Sequence, residues 1–254
     1  MKKITLITGA ASGLGKEFAL LYGRQGNALL LVDKDAAGLR NTKEEIGGDV
    51  EVLTADLSKR EELEKVYSHC QENGYFVNCL LNVAGFGDRC DFIDMKVAKQ
   101  LDMTEVNCNA PLYFCRVFLP EMLQNGEGHI INVCSIAGFY PGPYMCTYHA
   151  TKGFLLLLGE SISYEIRKSP VKLLTLCPGP FESDFVKKAH NDYTFSKIKP
   201  VSAAYVAEYG KRKSDQGKSL AVIGFKNKLT VFASRFVSRR FIAKTSAKTM
   251  KKGA

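Results

Sequence analysis

A single Rossmann-like, doubly wound α/β domain is the fold class this chain predicts: one parallel sheet of about seven strands with helices on both faces. Three observations carry the prediction. Short apolar runs alternate with longer amphipathic segments along nearly the whole chain. The short runs are almost entirely apolar, as strands are when both faces of a sheet are covered. Glycine and proline concentrate at 138–143 and 178–180, just beyond two of these runs, where an open α/β sheet carries its ligand-binding loops.

The elements follow in order. Residues 4–8 read as the first strand and 13–23 as the helix after it. Residues 28–32 form a second strand, followed by a polar helix over 34–46. A third strand (50–54) leads to a charged amphipathic helix (59–72), and a fourth strand spans 77–82. A long helix is expected over 102–124, a fifth strand over 129–134, a helix over 148–167, a sixth strand over 171–177 and a seventh over 220–223. Strict alternation of this kind implies right-handed crossovers.

Composition bounds the function. The chain has 254 residues, 46% hydrophobic and 24% charged, enough for one well-filled core and outside the disordered range. No apolar run approaches the roughly 18–20 residues of a membrane span, and the opening Met1-Lys2-Lys3-Ile4 runs into a strand with no signal-peptide cleavage pattern. The net charge of +9 is local. Residues 216–254 hold 10 of the 35 Lys+Arg and none of the 26 Asp+Glu, so that tail carries +10 and the rest of the chain −1. Nucleic-acid binding has no supporting motif. Eight cysteines, with no Cys-x-x-Cys pair and no zinc spacing, fit a reducing cytoplasm and no metal site.

The first strand ends in Thr8-Gly9-Ala10-Ala11-Ser12-Gly13-Leu14-Gly15. Glycines at three positions allow a sharp turn and close approach of a pyrophosphate to the following helix N-terminus. In a strand–turn–helix context this is a strong signal, with Gly9, Ser12, Gly13, Leu14 and Gly15 as the contacts. Asp33 ends the second strand about 20 residues on. A carboxylate there accepts bonds from ribose hydroxyls and repels a 2′-phosphate, which favours NAD over NADP; Lys34 beside it softens that repulsion. Asp33 alternatively caps the next helix. Asp56, with Leu57, is placed either at the adenine edge or as a cap of the helix from residue 59.

Tyr148 and Lys152 stand four residues apart and share a helix face. An ammonium there favours tyrosinate and is expected to lower the phenol's pKa from about 10. Ser135 ends the fifth strand, so all three groups can face one crevice. His149 points off this face and is expected to be structural. Cys134 and Cys146 are expected to pack rather than react.

These pieces together resemble the short-chain dehydrogenase/reductase family over nearly the full length: residues 8–15, Asp33, Asn82-Val83-Ala84-Gly85, Asn107, Ser135, Tyr148, Lys152 and Pro178-Gly179. The resemblance implies that Tyr148 is the general acid/base, that Ser135 holds the substrate oxygen, and that Lys152 holds the nicotinamide ribose. It implies that Asn107 anchors a water reaching Lys152. Asn82, Ala84, Gly85, Pro178, Gly179 and Ser183 would line the cofactor. Val83 stands where the family usually has a second Asn, which predicts only a local packing change. The C-terminus lacks the Asp-Gly-Gly turn of many tetrameric relatives and resembles the branch related to ketoacyl and hydroxysteroid reductases; a homodimer or tetramer is expected.

Residues 181–199 fall where the family carries a variable lid. Phe181, Phe185, Tyr193 and Phe195, with Phe139, Tyr140 and Tyr144, suggest an apolar rim for a bulky lipophilic alcohol or ketone such as a hydroxysteroid or bile acid. Equally, the rings pack the lid onto the core. Substrate contacts are expected from Ser135, Phe139, Tyr144, Tyr148, Phe181 and Phe185. The expected division is a catalytic unit over 1–224 and a basic amphipathic extension over 225–254. In that tail Leu229, Phe232, Phe236 and Val237 follow helical spacing among Arg235, Arg239, Arg240 and Lys244. Docking on the parent domain or dimerisation is favoured there over contact with an anionic membrane surface. The resulting expectation is an NAD(H)-dependent alcohol/ketone oxidoreductase. The rivals are an NADPH-dependent 3-oxoacyl reductase and a non-catalytic dinucleotide sensor.

Overall fold

The structure, a computed structural model, describes residues 1–182 and 200–250. Seven parallel strands form one sheet in the order β3-β2-β1-β4-β5-β6-β7. They are β1 (Lys2–Thr8), β2 (Leu29–Asp33), β3 (Val50–Thr54), β4 (Tyr75–Asn82), β5 (His129–Val133), β6 (Lys172–Cys177) and β7 (Leu220–Val222). The chain winds outward from β1 to β3, returns across β1 to β4, and then winds the other way. That reversal opens a crevice beyond the carboxyl ends of β1 and β4.

Among the described residues the helices are α1 (Gly13–Arg24), α2 (Ala36–Ile46), α3 (Arg60–Glu72), α4 (Val97–Thr104), α5 (Ala110–Asn125), α6 (Cys146–Glu165), α7 (Ala203–Asp215), α8 (Phe225–Ala233) and α9 (Arg239–Met250). They cover both faces of the sheet, as the all-apolar strands require. One core packs Phe18 and Leu14 of α1 and Val206 of α7 on Ile7, Leu31 and Leu174. The other packs Phe114 and Phe118 of α5 and Val66 of α3 on Leu6, Leu30 and Leu80.

Three local readings are corrected. The long helix expected over 102–124 begins earlier, at Val97, and is interrupted by a π turn over Glu105–Asn109 before continuing as α5. The α2 cap is Asp35, not Asp33: its carboxylate accepts from Ala37 and Gly38 N–H at 3.1 and 3.0 Å, because the helix starts two residues later than its polar run. Asp56 does not cap α3 either. Its Oδ1 accepts from Ser58 N–H and Oγ (3.1 and 2.9 Å) in a local turn, and Lys59 occupies the cap position with no side-chain bond.

α7 was not anticipated by the sequence reading. The tail is two helices rather than one, broken at Val237, whose backbone is extended. No helix among the described residues is long and apolar enough to cross a membrane.

Candidate active site

The crevice is built from four strand ends. At the end of β1, Gly9 (φ 69°) and Gly13 (φ 53°) occupy backbone conformations that L side chains rarely adopt. A methyl group on Gly15 would stand 2.0 Å from the Gly9 carbonyl oxygen, so α1 can start only this close to the turn with glycine there. Ser12 sits at the α1 N-cap with an extended backbone and makes no side-chain cap bond. The N-terminus of a 12-residue helix therefore meets the crevice without a side-chain acceptor.

Asp33 closes the neighbouring side. Ala11 N–H donates to its Oδ2 at 3.2 Å and Asp35 N–H to its Oδ1 at 3.1 Å, which locks the carboxylate beside the glycine turn. Burial works against ionisation of Asp56, but the two Ser58 bonds and the nearby Lys34 and Lys59 outweigh it and hold its pKa below the usual carboxylate value. The following Leu57 is buried. These groups fit a dinucleotide: a tight turn, a helix N-terminus toward diphosphate, and a fixed acid at the end of the neighbouring strand.

From the end of β4, the Thr8 hydroxyl accepts from Val83 and Ala84 N–H (3.0 and 3.1 Å) and bonds the Leu81 carbonyl, tying the two switch-point strands together. The role of Thr8 as this tie was not foreseen. Val83 is partly buried and packs against the core. Asn82 is buried and donates to Asn132 Oδ1 at 2.8 Å. The signal for that partner was legible as a lone polar residue inside the apolar run of β5. Gly85 is exposed to the crevice, and a methyl group there would lie 3.0 Å from Asn107 Oδ1 and 3.4 Å from Lys152 Nζ.

Asn107, 1% exposed, lies in the π turn. Its amide donates to the Phe86 carbonyl (2.9 Å) and Thr151 Oγ1 (3.0 Å), and its Oδ1 accepts from Phe86 N–H (3.0 Å). The π turn puts one residue too many into the helical ladder at that point, a common device at functional sites.

Ser135, beyond β5, accepts from Ala137 N–H at 3.1 Å and shares a side-chain hydrogen bond with Tyr148. The sequence expectation for the phenol is reversed. Burial pushes the Tyr148 pKa up, opposed by the Ser135 bond. Lys152 does not offset this: its Nζ donates to the Val133 carbonyl at 2.8 Å and stands 5.8 Å from the Tyr148 ring centre. Lys152 is itself only 5% exposed, and burial pulls its pKa down.

His149 is a buried strut, its Nδ1–H 2.9 Å from the Tyr140 carbonyl. Cys134 is buried with its thiol toward the Lys152 carbonyl (3.1 Å), and Cys146 is exposed.

At the rim, Phe139 packs against the Cys134, Leu155 and Cys177 cluster and Phe181 against the α1 side of the core. Tyr144 holds a positive φ of 67°, and its carbonyl accepts from Cys90 N–H at 2.9 Å. Pro178 is buried. Gly179 lies against Asn227 of α8, a contact the sequence did not announce. Ser183, Phe185, Tyr193 and Phe195 lie outside the described residues.

The fold and crevice define a dinucleotide-binding α/β protein. A family model described as short chain dehydrogenase matches residues 3–194, and the chain belongs to that family of oxidoreductases. It is 28% identical over 208 residues to an uncharacterized oxidoreductase of Staphylococcus aureus (strain MRSA252), covering 82% of this chain and 90% of the relative. A short-chain dehydrogenase from Sphingobium yanoikuyae in complex with NADPH is similar in fold, with a TM-score of 0.81 and 24% identity over 93% of this chain and 94% of that one. A 7β-hydroxysteroid dehydrogenase is similar with a TM-score of 0.85 and 21% identity over 96% of each chain.

Proposed function

We propose that this chain is an NAD(H)-dependent oxidoreductase that interconverts a secondary alcohol and a ketone, on a bulky lipophilic substrate such as a hydroxysteroid or bile acid. The observation that carries the reading is the Tyr148–Ser135 side-chain hydrogen bond at the end of β5, with Lys152 buried behind it. Bound nicotinamide would supply or accept the hydride.

The chain's own residues do the rest. Ser135, oriented by Ala137 N–H, holds the substrate oxygen. Tyr148 gives that oxygen a proton in reduction and takes one in oxidation. Burial raises the Tyr148 pKa and so favours the neutral phenol, the form that gives the proton in reduction. Lys152 would hold the nicotinamide ribose. Asn107, its side chain fixed by Phe86 and Thr151, would anchor the water that reaches Lys152. Gly9, Ser12, Gly13, Leu14 and Gly15 would cradle diphosphate, Asp33 the adenosine ribose, and Asp56 and Leu57 the adenine. Asn82, Ala84, Gly85, Pro178, Gly179 and Ser183 would line the nicotinamide half.

Asp33 supports NAD, and its anchoring by two backbone N–H groups keeps the charge in place. The exposed Lys34 beside it favours the second reading, an NADPH-dependent 3-oxoacyl reductase. Phe139, Tyr144, Phe181 and Phe185 would form the substrate rim, with 181–199 as lid on a catalytic unit over 1–224. A homo-oligomer is supported by exposed Leu112 and Leu123 on α5 and Phe154, Leu157 and Tyr164 on α6. A cytoplasmic setting is supported by eight free thiols.

Steady-state assays with NAD and NADP, each across sterol, bile-acid, short-chain alcohol and oxoacyl panels, test the reading. Turnover of sterols or bile acids with NAD is expected. Preference for NADPH with oxoacyl thioesters, or for small polar alcohols, would replace it.

A further inference from the structure

The C-terminal helices carry the largest feature the reaction leaves unused. In α8, Phe225, Leu229 and Phe232 recur at i, i+4 and i+7 and so share one face. A soluble helix turns such a face inward. Here it points out: Phe225 is 82% exposed, Leu229 56% and Phe232 55%. Phe236, in the turn that follows, extends the strip; it is 74% exposed and its ring centre lies 5.2 Å from that of Phe232.

The opposite face is the one that docks. Val231 is buried, and Asn227 bonds the Ile223 carbonyl at 2.7 Å and lies against Gly179. The far end of the tail is also tied to the body, through Arg89 and the Met250 carbonyl. Self-docking is therefore already satisfied, and it leaves the aromatic strip outside.

The charge around the strip has one sign. Lys226, Lys228 and Arg235 are exposed on either side of it, Arg239, Arg240, Lys244 and Lys248 follow on α9, and no Asp or Glu occurs in 216–254. Beside α8, Lys213, Lys218 and Lys228 surround a shallow cavity of about 200 Å³ at the β7 edge, together with Tyr209, Leu220 and Val222. A second copy is a poor occupant for this face. A two-fold interface would lay the cations of one strip on those of the other, with no acid in the segment to meet them. A surface with apolar depth under a dense layer of negative charge satisfies both halves of the pattern.

We propose that the α8 strip docks on anionic phospholipid bilayers. Phe225, Leu229, Phe232 and Phe236 enter the headgroup–acyl boundary, and the flanking lysines and arginines meet the phosphate and carboxylate headgroups. Because α8 packs beside Gly179 and the turn after β5, docking holds the mouth of the crevice near the lipid surface.

The test is co-flotation of the full chain with phosphatidylcholine vesicles containing roughly a third phosphatidylserine, at about 0.1 M salt. Pure phosphatidylcholine vesicles are the second arm. It needs neither cofactor nor substrate, so its outcome is separate from that of the proposed reaction. Flotation is expected with the anionic vesicles only. Leu229→Ser with Phe232→Ser is expected to weaken it roughly 30-fold, from the apolar surface withdrawn from lipid. Lys228→Gln with Arg235→Gln should weaken it roughly 25-fold, about fivefold per cation. All four side chains are exposed, so neither variant disturbs the core. The proposal is overturned if the parent stays unbound with anionic vesicles. It is equally overturned if the serine variant floats like the parent, which would mean charge adsorption alone. Loss of self-association in the serine variant, with no flotation of the parent, would assign the strip to a second copy instead.

Discussion

Removing the Asn107 side chain should cost more than removing the hydroxyl it reaches. Asn107→Ala deletes three hydrogen bonds at a site 1% exposed, two of them to the Phe86 backbone and one to Thr151 Oγ1. At about 1 kcal/mol net per bond the loss is about 3 kcal/mol, because the Phe86 groups are left without that partner. Thr151→Val keeps the volume but breaks two bonds, the third of these and the hydroxyl's own donation to the Tyr148 carbonyl (2.8 Å), so about 2 kcal/mol is expected. For a chain of this size these correspond to drops in Tm of roughly 6–12 °C and 4–8 °C. Urea unfolding followed by far-UV circular dichroism measures both, with an unchanged m value as the control that only stability moved. If the two variants lose the same stability, or if Asn107→Ala loses under about 1 kcal/mol, Asn107 is not the clamp between the β4 loop and α6.

Two further outcomes follow from the same geometry. Gly138→Ala would place a methyl group 2.6 Å from the Lys152 carbonyl oxygen, and the backbone there cannot give way cheaply. A loss of roughly 1–3 kcal/mol is expected. Turnover should fall about 100-fold as Ser135 and Tyr148 lose register. Gly153→Ala, whose methyl would meet nothing closer than 3.5 Å inside α6, should instead stabilise by about 0.5–1 kcal/mol. Equal effects of the two, read by thermal melts and initial rates, would refute the packing argument.

Stability should also fall on acidification. Burial holds His149 and His129 below the ordinary histidine pKa, so below about pH 6.5 the unfolded chain binds protons that the folded chain refuses. The urea midpoint should be flat above neutrality and decline from about pH 6.5 downward, less steeply in His149→Gln. A midpoint that rises on acidification would contradict the burial of these rings.

The sheet was legible because its strands are buried on both faces and so read as uninterrupted apolar runs; β3 was placed to the residue. The glycine turn was legible because Gly9, Gly13 and Gly15 each answer a steric demand that no other residue meets. What escaped depends on contacts between distant segments. The start of α4 at Val97 was hidden because Val97 and Leu101 remain exposed, and Met103 near its end is its one fully buried apolar residue. The π turn is held by Asn107 reaching Phe86, 21 residues away, which no local pattern encodes. Which aspartate capped α2 turned on a two-residue shift of the helix start. The Tyr148 expectation failed for an electrostatic reason. Spacing put the lysine on the same face, but the Val133 carbonyl captures its ammonium and burial then governs the phenol. α7 turns polar in its second half and docks mostly through small residues, Ala203, Ala207 and Gly210, beside Val206 and Tyr209, which is a weak signal in sequence.

The central claim is that Tyr148 exchanges the substrate proton in a crevice whose nucleotide half stands without it. Nucleotide affinity and turnover, measured on the same preparation of Tyr148→Phe, test it most directly. A dissociation constant for NAD within about threefold of the parent is expected, with turnover reduced by at least about 100-fold. Near-parental turnover in that variant would contradict it.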